Sequence, residues 1–242
     1  MTHRNLLRYV RLPQLLVFAT VQPVVFLLLF TYVFGGAINV GGLDYVDYLV
    51  PGIIIQTVLF GATNTGLALA DDLSRGMVDR FRSLPMARSA VLAGRTFADM
   101  VRNVFAVGSM IGVGYLIGFN FQNGASAALL AVILTLMLGF AFCWITAFLG
   151  LLVRDAETAQ VAGFVTVFPL IFASSMFVPI ATMPDWLEAF AKISPVTATV
   201  DTVRALSLGG EVASSLWKCL AWIAGILMVF GSLSVNKYRH LA

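Results

Sequence analysis

The chain has 242 residues, of which 60% are apolar and only 11% charged, where ordinary soluble domains carry roughly 25% charged residues. A soluble globule would have to hide that apolar surface with too few charges to cover it, so the composition argues for an all-α integral membrane protein. A net charge of +3 and a pI near 9.1 could suit nucleic acid, but the basic residues flank apolar runs, which is a topology signal and gives no nucleic-acid partner.

Residues 1–12 read as an interfacial helix, with Arg4, Arg8 and Arg11 on one stripe toward lipid headgroups and Leu6, Leu7 and Val10 toward the acyl boundary. The apolar run behind them is full length and lacks an evident cleavage site, so it is expected to be retained as a span over 15–34. Gln22-Pro23 interrupts that span and reads as a kink whose polar side chain satisfies freed carbonyls. Residues 35–48 carry Asp44 and Asp47 but no Lys or Arg, which puts them outside. A second span over 49–70 holds Gln56, Thr57, Thr63, Asn64 and Thr65, which should face protein or a cavity because lipid cannot satisfy them.

The stretch from Asp71 to Arg102 contains six of the fifteen Lys and Arg residues and reads as an inner basic loop. Within it, Gly76 to Pro85 can form a short amphipathic helix. Val78, Phe81 and Leu84 would share one face, Asp79, Arg80 and Arg82 would point elsewhere, and Pro85 would stop it. A helix held in this way by two spans is a docking surface.

A third span over 100–119 has Gly108/Gly112 and Gly114/Gly118 at small-xxx-small spacing, suited to close helix contact. A fourth, over 127–152, leads to a second inner loop at Arg154, Asp155 and Glu157, and a fifth over 161–180 includes Pro169. Between the fifth span and a sixth over 216–235, residues 184–208 read as two short outer or re-entrant helices. Trp186, Leu187, Phe190 and Ile193 make an apolar face on the first, and Glu188 can pair with Lys192. Ser194 and Pro195 open the second and Gly209 closes it, while Asp201 and Arg204 stand three apart and can form a brace. Six spans place twelve Lys and Arg residues inside and three outside, which sets both termini in the cytoplasm.

Catalytic patterns are absent. The histidines, His3 and His240, sit at opposite ends, so neither a triad nor a zinc set can be assembled from them. There is no Gly-x-x-x-x-Gly-Lys-[Ser/Thr] loop, and the middles of the expected spans hold no Asp, Glu, Lys or Arg. Cys143 and Cys219 have no neighbouring His or Cys and read as buried apolar residues without a disulfide. What is left is a membrane conduit driven from elsewhere. Gln22, Gln56, Asn64 and Thr65 are its candidate path-lining residues and suit an amphipathic cargo.

Three stretches carry a family resemblance: Gly76-Met77-Val78-Asp79-Arg80-Phe81-Arg82-Ser83-Leu84-Pro85-Met86; Leu151 to Gln160; and the run from Phe168-Pro169 through Pro184-Asp185-Trp186-Leu187 and Ser194-Pro195 to Asp201, Arg204 and Gly209-Gly210. Through them the chain resembles the type 2 permeases of ATP-binding-cassette exporters, most closely the daunorubicin-resistance-like drug exporter branch. The resemblance implies a bacterial cell-membrane protein without catalytic site or cofactor. It also implies a separate ATPase subunit binding ATP and Mg, a second permease copy or paralogue, and a coupling role for residues 76–85. The expected function is export of an amphipathic drug-like or lipid-like compound. Export of a polysaccharide or lipid-linked glycan is the alternative within the fold, and a non-transporting scaffold or immunity protein the alternative outside it.

Overall fold

Long apolar runs free of interior charge can satisfy their backbone only as helices, and the structure follows suit. The computed structural model describes residues 13–38, 40, 42–74, 88–153 and 155–241, and among these every regular element is helical. In chain order they are α1 (Pro13–Leu29, continued by a π-helical turn over Phe30–Phe34), α2 (Tyr45–Ser74), α3 (Arg88–Leu116), α4 (Gly124–Val153), α5 (Ala156–Phe172), α6 (Asp185–Ile193), α7 (Pro195–Leu208) and α8 (Ala213–Leu241). The expected interfacial helix over 1–12 and coupling helix over 76–85 lie outside the described residues, as does Arg154.

Three of these helices are long and apolar enough to cross a membrane: α2, α4 and Ala213–Tyr238 within α8. The centre of the bundle is α2. From Tyr48 to Leu59 every residue is buried, the signature of a helix enclosed on all sides, and α1, α3, α4, α5 and α7 all pack against it. Its crossing with α4 depends on missing side chains. A Cβ on Gly66 would run into the Thr146 carbonyl, and one on Gly150 into the Gly66 carbonyl. The Thr146 hydroxyl donates to the Ala62 carbonyl at 2.6 Å across the same contact. Small residues let the backbones meet, and an interhelical hydrogen bond then ties them. Cys143 and Cys219 are buried and unpaired.

Several boundaries differ from those expected. The third helix begins at Arg88, well before residue 100, so Asp99 and Arg102 are interior helical residues and not part of a loop. Ionised residues broke the apolar run in the sequence, although they share one helix face and are paired. Gly108 and Gly112 make no close helix contact, because a Cβ on either would meet nothing within 4 Å. Gly118 does not pack either: with φ +107 it closes α3 while the Phe119 N–H donates back to the Gly114 carbonyl at 3.0 Å.

The fifth helix stops at Phe172, short of the expected 180. Beyond it the backbone turns, and carbonyls at and after the helix end are taken up by side chains, one local and two from α2. Ser174 Oγ donates to the Ile171 carbonyl (2.6 Å), Tyr48 Oη to that of Ser175 (2.8 Å) and Tyr45 Oη to that of Phe177 (3.3 Å). Non-helical backbone is tolerated at such a place only where protein satisfies it. At the start of α7, Ser194 accepts from the Val196 N–H with Pro195 in the first turn, and Gly209 at φ +94 ends the helix.

Candidate functional site

A polar cleft of about 560 Å³ lies between α1, α2, α3 and α5. Gln22 and Pro23 of α1 meet Gln56, Phe60 and Asn64 of α2 there, opposite Gln160 and Phe164 of α5. Three of the four expected path-lining residues, Gln22, Gln56 and Asn64, thus come together. Thr65 sits behind the wall, where its hydroxyl donates to Asp99 Oδ2 at 2.6 Å.

The fourth wall is the face of α3 that carries Asp99, Arg102, Asn103 and Ala106, spaced to share one side of a helix. Asp99 and Arg102 form an ion pair, Oδ1 to Nη1 at 3.5 Å, with only 7% and 8% of their side chains exposed. Arg102 Nη2 also donates to the Gly61 carbonyl at 2.6 Å and to Asn103 Oδ1 at 3.4 Å. Gly61 makes that approach possible, because a Cβ there would stand 2.7 Å from Asn103 Oδ1 and 3.2 Å from Arg102 Nη2. Thr65 lies nine residues from the Ser74 end of α2, about 14 Å along the axis, so the pair joins α3 to α2 well inside the helix ends. Asp99, Arg102, Asn103 and Gln160 were missed from the sequence. Their signal was the recurrence of polar residues at positions 99, 102 and 103, which is readable only once the helix is started near Arg88.

From the cleft a row of phenylalanines runs along α5. Phe60, Phe164, Phe168, Phe172, Phe177 and Phe30 follow one another with ring centroids 4.3–6.0 Å apart. At Phe172 the row meets a second, apolar pocket of about 610 Å³, walled by Pro169, Trp186, Leu187 and Phe190. On α6, Glu188 and Lys192 pair at 2.8 Å, an exposed contact worth little.

The expected Asp201–Arg204 pair exists, at 3.2 Å, but both residues are on α7 and the pair does not join α6 to α7. Arg204 donates to the carbonyls of Tyr48 (3.1 and 3.2 Å) and Ser175 (3.0 Å) and lies 3.6 Å over the Tyr48 ring. Asp201 accepts from the Ser175 hydroxyl at 2.6 Å. The cluster therefore ties α7 to α2 and to the broken backbone after α5. We expect Arg204→Lys to cost about 1–2 kcal/mol, since an ammonium cannot serve both carbonyls and cover the ring at once. The exchange Asp201→Arg with Arg204→Asp should recover nothing over either single change in thermal unfolding of the purified protein. An aspartate at 204 offers no donor to the carbonyls, so recovery by the exchange would show that the ion pair alone matters.

In the connection after α4, that helix ends at Val153 and α5 starts at Ala156. Asp155 caps α5, accepting from the Thr158 hydroxyl (2.6 Å) and N–H (2.8 Å), with Glu157 in the first turn. The Thr158 hydroxyl and then the backbone N–H groups hold the Asp155 carboxyl below its ordinary pKa. The cap therefore acts in full above the ordinary carboxylate range and is lost as pH falls through the lowered value.

Residues 1–208 match the family model described as ABC-2 type transporter. The chain is 32% identical over 242 residues to the daunorubicin resistance ABC transporter permease protein DrrB1 of Streptomyces coeruleorubidus, covering 99% of this chain and 86% of that one. It is 30% identical over 241 residues to the "Probable doxorubicin resistance ABC transporter permease protein DrrC" of Mycobacterium tuberculosis, covering 99% and 87%. To the doxorubicin resistance ABC transporter permease protein DrrB of the same species it is 28% identical over 173 residues, covering 72% and 60%.

Proposed function

We propose, since this chain belongs to the ABC-2 type transporter family, that it is the membrane permease subunit of an ATP-driven exporter in a bacterial cell membrane. Its cargo is an amphipathic drug-like or lipid-like compound, taken from the cytoplasm or inner leaflet. The observation that carries this reading is likeness to drug-resistance permeases over 99% of the chain. The cleft supports it, because amide groups and phenyl rings on one surface suit a molecule with a polar and an apolar side.

The chain itself contributes no catalysis and no cofactor. ATP and Mg act on a separate ATPase subunit, and two permeases, identical or paralogous, share the complex. Gly76 to Pro85 forms the coupling helix, with Arg154, Asp155 and Glu157 on the same inner face. Closure of the ATPases on nucleotide moves that helix and biases the permeases between inward- and outward-favouring states, the nucleotide supplying the differential free energy. Purification of the tagged permease from its native membrane tests the assignment: an ATPase should co-purify, and its absence would favour a non-transporting scaffold.

The proposed layout has six spans and both termini in the cytoplasm. In a chain freed of Cys143 and Cys219, cysteines placed at Asp47 and Arg82 should react with an impermeant maleimide from opposite sides. Reaction of both from the same side would overturn the topology.

A further inference from the structure

The pocket of about 610 Å³ where α5 meets α6 is walled by Pro169, Phe172 and Ala173 on one side and by Trp186, Leu187 and Phe190 on the other. The indole N–H of Trp186 is the single side-chain donor among these six residues, and none of them carries charge. Sites for drug-sized ligands place a few polar groups that fix orientation, so this wall suits a chain of methylenes better. We propose that the pocket holds one acyl chain of a membrane phospholipid, wedged between α5 and α6. The inference goes beyond the exporter reading, since it concerns neither cargo nor ATPase.

Helix α6 shows which surroundings the pocket faces. Trp186, Phe190 and Ile193 stand 73%, 41% and 67% exposed on one arc of the helix, while Ala191 is buried. Helical spacing gathers Asp185, Glu188 and Lys192 on a separate arc, where Glu188 and Lys192 pair at 2.8 Å. The helix thus has a side toward protein, a side of exposed apolar groups and a charged edge. Those are the surfaces of a short helix packed on protein at a membrane boundary. With nine residues it is too short to cross. Position along α5 agrees. Asp155 and Glu157 are exposed at its start, which marks water. Its 17 residues reach roughly 25 Å toward the pocket, close to the hydrocarbon thickness of about 30 Å. Tryptophan is enriched at that level. Lipid tails are as apolar as the wall, so burial itself gives little. The gain is contact: a concave space left empty forfeits dispersion, and a flexible chain can follow its shape.

The test uses the permease purified with its ATPase in detergent and titrated with a phosphatidylcholine that carries a diazirine in one acyl chain. After illumination, label is mapped on residues 169–190 and, for comparison, around Met228, which is 70% exposed on α8 and outside the pocket. Residues 169–190 should saturate at one probe per permease, at a concentration about tenfold below that needed for equal label at Met228. Label at Met228 should rise in proportion to the probe. Filling the space with Ala173→Trp should lower label on 169–190 about tenfold and leave Met228 unchanged. Parallel, unsaturated labelling of both stretches in the unaltered protein means ordinary boundary lipid and overturns the proposal, whether or not the variant folds. Saturable labelling that survives in a folded Ala173→Trp protein also overturns it, since the chain then lies elsewhere. So does a 169–190 stretch that takes no label while Met228 does, because protein, such as a second permease, then covers the pocket.

Discussion

Arg102→Leu should destabilise the folded protein by about 3–5 kcal/mol, because it breaks a buried ion pair by removing one partner. Asp99 is 5% exposed and also accepts from the Thr65 hydroxyl at 2.6 Å. The Gly61 carbonyl loses its donor at the same time. Asp99→Asn combined with Arg102→Leu should cost much less than Arg102→Leu alone, since the pair is then replaced by neutral groups and no charge is left stranded. Denaturant or thermal unfolding of the four proteins in one detergent measures the cycle. An Arg102→Leu protein within about 0.5 kcal/mol of the original, the scatter of ordinary surface changes, would mean that the pair contributes little to the join between α2 and α3.

Phe81→Ala is the second large effect. If Gly76 to Pro85 is the coupling helix, Val78 and Phe81 enter a groove on the ATPase while Arg80 and Arg82 meet acidic groups at its rim. A buried aromatic anchor commonly carries about 2 kcal/mol or more of an interface, roughly a thirtyfold loss of affinity on truncation. The rim arginines should instead alter association rate and its salt dependence. Phe81→Ala should therefore insert and fold normally yet shed or uncouple the ATPase. Co-purification yield and transport in inverted vesicles report the two outcomes. Normal transport with full retention of the ATPase would make the segment a topogenic basic loop and nothing more.

Hydropathy and charge carried much of the architecture. Apolar runs separated by basic or acidic connections forecast helices where the structure has α1, α2, α4 and α8, although α8 runs on to Leu241, past the expected 235, and Ser194-Pro195 with Gly209 delimited α7. Those features are local: a run of apolar side chains, a capping hydroxyl and a glycine at positive φ act on their own segment whatever surrounds it. The three motif stretches likewise point to the ABC-2 type transporter family.

The cleft was legible only in pieces. Gln22, Gln56 and Asn64 stood out as polar groups in apolar helices, but nothing in the order of residues says that α1, α2, α3 and α5 bring them to one space. Arg102 reads as topogenic charge in the sequence, and Asp99 carries no reading of its own, because a charge count treats each residue alone. Their burial becomes affordable only when Thr65 and the bare carbonyl of Gly61 arrive from α2. The stop of α5 at Phe172 has the same origin: Tyr45 and Tyr48, 132 and 127 positions from the Phe177 and Ser175 carbonyls they serve, together with Arg204, satisfy the backbone that the helix gives up. The chain by itself thus determined helical class, the main helices, the caps and the family. Tertiary structure alone decided which polar groups are paired and where a helix can stop, because each of those depends on what a distant segment presents.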